Sequence, residues 1–324
     1  MIVSPISIAR QTSGSFFSPL FASRTISIIP ASQPTDLEKN IEKSLELEPV
    51  PTTVKKFANG ETYVNIQKDV RNTDVYIMPS VGNNTNDNLM ETYLKADAAK
   101  RMGAHRIIAI LPNFPYARQE RKVEPGEPIS ASLNMILLHA SGVDEVITSD
   151  LHAAAIPGFA HDMIVTEISS IDAMVKYFKG KNLDPDELVI VSPDLGGVKR
   201  VEKFAQKMGC KTAIINKNRY AHNKAKAKEL FGDIKGKNCI IYDDMIDTAG
   251  TITQAAQMLK NSGAKDIYLC AAHGLFNGKA LEKLQDAPVK EIVVSNSEIK
   301  PEYAKIKQVD LAEYIAGKML DISG

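Results

Sequence analysis

The chain has 324 residues, with 39 Lys plus Arg balanced by 39 Asp plus Glu. That balance leaves no overall field for nucleic acid or an anionic membrane surface, so any anion binding must be local. No run approaches the roughly 18 consecutive apolar residues of a membrane-spanning helix, and Cys210, Cys239 and Cys270 are too widely spaced for a disulfide or zinc framework, which fits buried thiols in a reducing compartment.

The first 35 residues hold eight Ser, two Arg and no Asp or Glu. This composition resembles an organellar transit peptide but lacks a clear amphipathic helix, and a disordered tail is equally economical. Residues 1–25 are therefore read as an extension, with a cytoplasmic location expected and organellar targeting as the alternative. From residue 26, short apolar runs alternate with helix-like stretches. Strands are expected at 26–29, 75–79, 106–111, 145–149, 188–192, 212–216, 238–242, 266–272 and 291–295. Helices are expected at 87–102, 129–141, 198–208 and 250–262. The strand runs are apolar on both faces, the pattern of parallel strands covered by helices on each side, so the fold class is α/β. The polar stretch GKNLDPDEL (180–188) marks a loop near a division into two domains. The repeat is architectural rather than a repeat of sequence. In open parallel sheets the ligand sits at the carboxyl ends of the strands, which directs attention to the polar residues after each apolar run.

The stretch CIIYDDMIDTAGT (239–251) ends such a run. Its turn, residues 247–251, offers backbone N–H groups, the hydroxyls of Thr248 and Thr251 and the start of a helix, which together suit a phosphate. An ordinary Asp/Thr helix cap is the plainer reading, but it leaves the paired acids unexplained. Like charges 4 Å apart repel by about 4 kcal/mol at an effective dielectric of about 20. Asp243 and Asp244 must therefore face something other than the phosphate, such as sugar hydroxyls or a magnesium ion with its water shell. A phosphorylated sugar meets both demands.

This stretch resembles the ribose-phosphate motif of the type I phosphoribosyltransferase fold. FANGETYVNI (57–66), NTNDNLMETYLKADAAKRMGAHRI (84–107), LPNFPYARQERK (111–122), GEPISA (126–131), SDLH (149–152), VSPDLGG (191–197) and NKNRY (216–220) are similar, in order, to motifs of the ribose-phosphate pyrophosphokinase family. The resemblance covers about Ile26 to the end of the chain. It implies two tandem phosphoribosyltransferase-like domains, each a mainly parallel sheet flanked by helices. The first, 26–166, would serve ATP. The second, 167–324, would serve ribose 5-phosphate, with its last helix packing on the first. It also implies Mg²⁺ and a homo-oligomer, dimer or larger, with no nucleic-acid or membrane partner.

Site residues follow motif by motif. Arg118 offers a donor fork and Gln119 a donor–acceptor pair for a nucleotide; the resemblance assigns them, with Asn59 and Glu61, to ATP. His152 would be a plain loop histidine by itself, and the two glycines after Asp194 a plain tight turn, but the resemblance gives His152 and Asp194 to magnesium. Lys217 and Arg219 would simply solvate a loop in the plainer reading. The resemblance puts them over the reacting phosphates as catalytic residues, where positive charge and water exclusion assist phosphoryl-type transfer. Asp243, Asp244, Asp247, Thr248, Ala249, Gly250 and Thr251 would hold ribose 5-phosphate. Ala249 stands where a glycine is common, which a methyl tolerates if φ is negative. A phosphoribosyltransferase and a catalytically silent associated subunit are the alternatives. YARQER and NTNDNLME argue against the first, and retention of His152, Lys217 and Asp243 against the second.

Overall fold

The computed structural model describes residues 24–82, 84–217 and 228–324. Two parallel-stranded sheets stack across a shared layer of helices, because each buries apolar side chains on both faces. The chain runs through β1 (Ile26–Ile29), α1 (Asp36–Leu45), β2 (Thr52–Lys56), β3 (Thr62–Ile66), β4 (Asp74–Ile77), α2 (Thr85–Arg101), β5 (Arg106–Ile110), α3 (Ser130–Ser141), β6 (Glu145–Ser149) and β7 (Ile164–Ile168). The second half continues with α4 (Ile171–Lys179), β8 (Leu188–Ser192), α5 (Val198–Met208), β9 (Lys211–Lys217), β10 (Lys228–Phe231), β11 (Asn238–Ile246), α6 (Gly250–Asn261), β12 (Ile267–Gly274), α7 (Ala280–Asp286), β13 (Glu291–Ser295), β14 (Ile306–Val309) and α8 (Ala312–Ser323). The first sheet has the order β1-β4-β5-β6-β7 and the second β10-β9-β8-β11-β12-β13-β14, while β2 and β3 form a separate hairpin. Only β10 in the second sheet runs antiparallel, against β9.

The fold is α/β, with two tandem units that each carry a mainly parallel sheet flanked by helices. The nine strands expected from apolar runs are present. The hairpin β2–β3 and strands β7, β10 and β14 were not expected, and the reason is physical. Apart from the hairpin, they lie at sheet edges, where one side meets solvent and the sequence reads as mixed, as in IVTEI and IKQV. Pairing of β7 with β6 continues to Ile168, so the first sheet runs two residues past position 166. Residues 1–23 of the extension lie outside the described residues.

Helix α5 shows how local pattern becomes packing. Val201, Phe204, Ala205 and Met208 are buried at helical spacing, and Gly209, at φ 71, stops the helix with its N–H on Ala205. This stripe joins Phe178 of α4 in the core shared by both sheets, where the Phe204 ring meets Tyr242 of β11 edge-on at 5.1 Å. Ile315 and Met319 of α8 enter the same core, and the buried Tyr76 hydroxyl donates to the Met319 carbonyl at 3.0 Å. Residues after the second sheet thus cover the first.

One core carboxyl carries a pH signature. Glu38 of α1 is 1% exposed, and its Oε1 accepts from the Ala31 N–H at 3.0 Å. Burial pushes its pKa up to about 7, from 4.5. The folded state therefore holds a proton that the unfolded chain has released, so this contribution is complete below 4.5 and is lost as pH rises through about 7. Urea melts at pH 5 and pH 8 check this: Glu38→Gln should flatten the decline seen in the parent protein, and an unchanged slope would remove Glu38 as its source.

Candidate active site

The carboxyl ends of the two sheets meet, and the residues of interest lie on the connections that leave them. β11 is buried from Asn238 to Tyr242, as befits a central strand, and it delivers Asp243 and Asp244 to the junction. Asp244 is 4% exposed. Its Oδ2 meets His152 Nδ1 at 2.6 Å across the junction, and its Oδ1 accepts from Arg200 Nη2 at 3.3 Å. Burial alone would raise this carboxyl, but the hydrogen bonds from His152 and Asp243 and the charge of Arg200 outweigh it and hold Asp244 well below the carboxylate range. The same bond raises His152 against the opposing effect of burial. Asp243 behaves oppositely: burial, then the hydrogen bond and charge of Asp244, push it up to about 8. One acid of the pair is thus committed as a carboxylate, and its neighbour lacks a compensating cation.

The turn after β11 is uncapped. Ala249 occupies the N-cap of α6 with no side-chain cap bond, so the first N–H groups of a 12-residue helix are left for another acceptor. The expectation of a negative φ at Ala249 is corrected: φ is 59 and ψ is 4, the left-handed region. An L-residue pays about 1–2 kcal/mol there, and the tight turn that α6 continues depends on it. A β-branched side chain fits this region worse, so Ala249→Val should lose about 1–3 kcal/mol of stability. Urea melts of parent and variant check this; an unchanged midpoint would show that the turn accommodates the branch.

Asp247 is braced rather than aimed at an anion. Its Oδ1 accepts from Asn277 Nδ2 at 2.9 Å and its Oδ2 from Arg118 Nη1 at 2.6 Å. Thr248 and Thr251 stand exposed on the turn and Gly250 opens the helix. Lys283 of α7 donates to the Thr248 carbonyl at 2.9 Å and adds a positive charge beside the turn. Neither Lys283 nor Arg200 was singled out from the sequence. Arg200 follows VSPDLGG closely enough to have been read with it, whereas Lys283 sits in an unremarkable amphipathic stretch. Asp194 Oδ1 accepts from the N–H groups of Gly196 and Gly197 at 2.9 and 3.2 Å, fixing the turn before α5.

Arg118 and Gln119 line a cleft of about 1120 Å³ between the two domains. Asn59 and Glu61 do not line it. They sit exposed at the tip of the β2–β3 hairpin, where Asn59 Oδ1 accepts from the Glu61 N–H at 3.2 Å. Lys217 ends β9, at the carboxyl edge of the second sheet. Arg219 lies outside the described residues. Among the described residues, no three His, Cys, Asp or Glu side chains form a ready metal cage. Magnesium does not require one, since it binds through one or two carboxylates with water and substrate phosphates completing the shell. The uncompensated Asp243 carboxyl fits that use.

Comparison with known proteins bears on this geometry. A model of the N-terminal domain of ribose phosphate pyrophosphokinase matches residues 26–142, and one of the phosphoribosyl synthetase-associated domain matches residues 219–323. The ribose-phosphate pyrophosphokinase of Clostridium acetobutylicum is 42% identical over 274 residues, covering 85% of this chain and 86% of that protein. The chain belongs to the ribose-phosphate pyrophosphokinase family. The Bacillus subtilis ribose-phosphate pyrophosphokinase is 37% identical over 305 residues, covering 93% of this chain and 95% of that protein. The crystal structure of phosphoribosylpyrophosphate synthetase from Mycobacterium smegmatis superposes with a TM-score of 0.86 at 34% identity, over 92% of this chain and 99% of that one. Membership in this pyrophosphokinase family makes the chain a transferase. No helix among the described residues is long and apolar enough to cross a membrane.

Proposed function

We propose that the chain transfers the pyrophosphoryl group of magnesium ATP to the 1-hydroxyl of ribose 5-phosphate, giving 5-phosphoribosyl 1-diphosphate and AMP. The observation that carries this is the uncapped turn 247–251 standing beside an acid pair whose inner member is tied to His152 across the domain junction. The anomeric oxygen attacks the β-phosphorus in line, the bond from that phosphorus to the α,β-bridging oxygen breaks, and the hydroxyl proton is released. No covalent protein intermediate is needed, so positioning and charge neutralisation supply the rate.

Residues 247–251 and Lys283 hold the 5-phosphate. Asp243 accepts from the ribose hydroxyls, while Asp244 locks His152 and Arg200 in place. Arg118 and Gln119 take the nucleotide, for which Arg118 must leave Asp247. Lys217 and Arg219 neutralise the transferring group. Asp243, with His152 and Asp194 near it, would hold magnesium, which when bound offsets charge on the phosphates. The first domain, about 26–166, serves ATP and the second, 167–324, serves the sugar. Asn59 and Glu61, exposed on a hairpin tip away from Arg118, fit a homo-oligomer in which a second copy completes the ATP site. Free cysteines, two of them buried, suit the reducing cytoplasm.

Phosphorus NMR of the purified protein with magnesium, ATP and ribose 5-phosphate tests this. AMP with a new sugar diphosphate is the expected result. ADP would mean an ordinary kinase, and no turnover a silent subunit.

A further inference from the structure

Helix α2 presents different chemistry on two adjacent faces. Asn88 and Thr92 line the cleft that Arg118 and Gln119 also line. Glu91 and Lys95, one turn apart, are instead drawn into the interior, at 6% and 0% exposure. A lysine so buried touches no substrate, so whatever it does is done through its neighbours.

Those neighbours are strand exits. Lys95 Nζ donates to the Pro30 carbonyl and to Glu91 Oε1, each at 2.5 Å. Glu91 Oε1 accepts from the Ser32 N–H at 3.1 Å, and its Oε2 accepts from Ser32 Oγ at 2.8 Å. Ser80 Oγ lies 3.3 Å from Glu91 Oε1 and 2.9 Å from Ser32 Oγ. With Glu38 Oε1 on the Ala31 N–H, each of residues 30–32 is held by a buried acidic or basic side chain. Residues 30–32 follow β1 and Ser80 follows β4, both at the carboxyl end of the first sheet. Ser80 and Gly82 line the same cleft as α2. The ion pair therefore gathers two strand exits onto the helix behind the cleft wall.

Stability does not account for this arrangement. Burial alone would raise the Glu91 carboxyl, but the charge and hydrogen bond of Lys95 outweigh it and lower it; burial draws Lys95 down in spite of Glu91. Apolar side chains of similar volume commonly serve stability as well as a buried ion pair does. What they cannot supply is directed hydrogen bonds to Pro30, Ser32 and Ser80.

We propose that Glu91 and Lys95 are positioning residues of the nucleotide half, holding the exits of β1 and β4 in the arrangement that shapes the cleft for ATP. The proposal rests on the reading that Arg118 and Gln119 take the nucleotide in this cleft. Its signature is an effect on nucleotide affinity that leaves the sugar, bound at turn 247–251 of the other domain, unaffected.

Calorimetry with magnesium and α,β-methylene ATP, and separately with ribose 5-phosphate, tests it beside urea melts. Lys95→Met alone leaves the Glu91 carboxylate buried without its cation, so the midpoint should fall by about 1 M or more. Adding Glu91→Leu removes both charges and should restore the midpoint, yet the bonds to Ser32 and Ser80 stay lost. In that double variant the nucleotide Kd should rise about tenfold or more while that of ribose 5-phosphate stays within about twofold. Glu91→Gln, whose amide oxygen still accepts from Ser32 and Lys95, should bind the nucleotide within about threefold of the parent. Ser32→Ala removes an exposed hydroxyl that does not line the cleft, and should weaken the nucleotide by about threefold or more with an unchanged midpoint. A restored double variant with parent-like nucleotide binding would overturn the proposal, and so would equal weakening of nucleotide and sugar. Should the double variant not fold, parent-like binding by Ser32→Ala overturns it. Since binding is read without turnover, a parent that binds both ligands but forms no AMP would sink the pyrophosphokinase reading alone.

Discussion

Asp244→Ala is expected to unfold at clearly lower urea concentration and to lose at least about 100-fold in kcat/KM. The carboxylate is buried and bonded on one oxygen by His152 and on the other by the Arg200 guanidinium, which reach it from different domains at 2.6 and 3.3 Å. Removing it strips His152 of its hydrogen-bond partner and leaves the Arg200 guanidinium without its carboxylate, and Arg200 Nε already lies buried without a protein partner among the described residues. Breaking a buried pair from one side costs about 3–5 kcal/mol. The catalytic loss follows because His152 and the acid pair are no longer held in register, and a misplacement of about 1 Å costs about 100-fold in rate. Asp244→Asn should sit between the two, since an amide oxygen still accepts one bond. Denaturant melts and steady-state kinetics decide it: a variant within about 1 kcal/mol of the parent would show that the pair is not a structural tie.

Lys217→Ala should fold normally and lower kcat by about 100- to 1000-fold with KM for ATP within about twofold. Lys217 closes β9 beside β8, whose end leads to the Asp194 turn, so the chain carries it to the edge where Asp243 also emerges. Charge that grows on the transferring group in the transition state is stabilised by a cation placed there, whereas bound ATP gains little from it, which separates kcat from KM. Normal turnover in this variant would remove Lys217 from the reaction.

The central strands and long helices were legible because burial on both faces, or a stripe at helical spacing, writes itself into consecutive residues. Edge strands escaped because solvent on one side breaks that pattern. The turn DTAGT was legible as the opening of a helix, but neither its missing side-chain cap nor the left-handed Ala249 was, since a strained non-glycine residue contradicts local preference. Least legible were the ties across the junction. His152 with Asp244 and Arg118 with Asp247 depend on how two sheets dock, and no local spacing encodes a partner more than 90 residues away.

The helix α8 has a consequence for how the protein comes into being. Tyr76 and α1 of the first domain await a lid that is translated long after them, supplied by Ile315, Met319 and Ser323. On the ribosome the first domain must therefore wait, with an apolar flank bare, until the second has emerged. The domain begun first is finished last, its apolar flank covered only once α8 has been made.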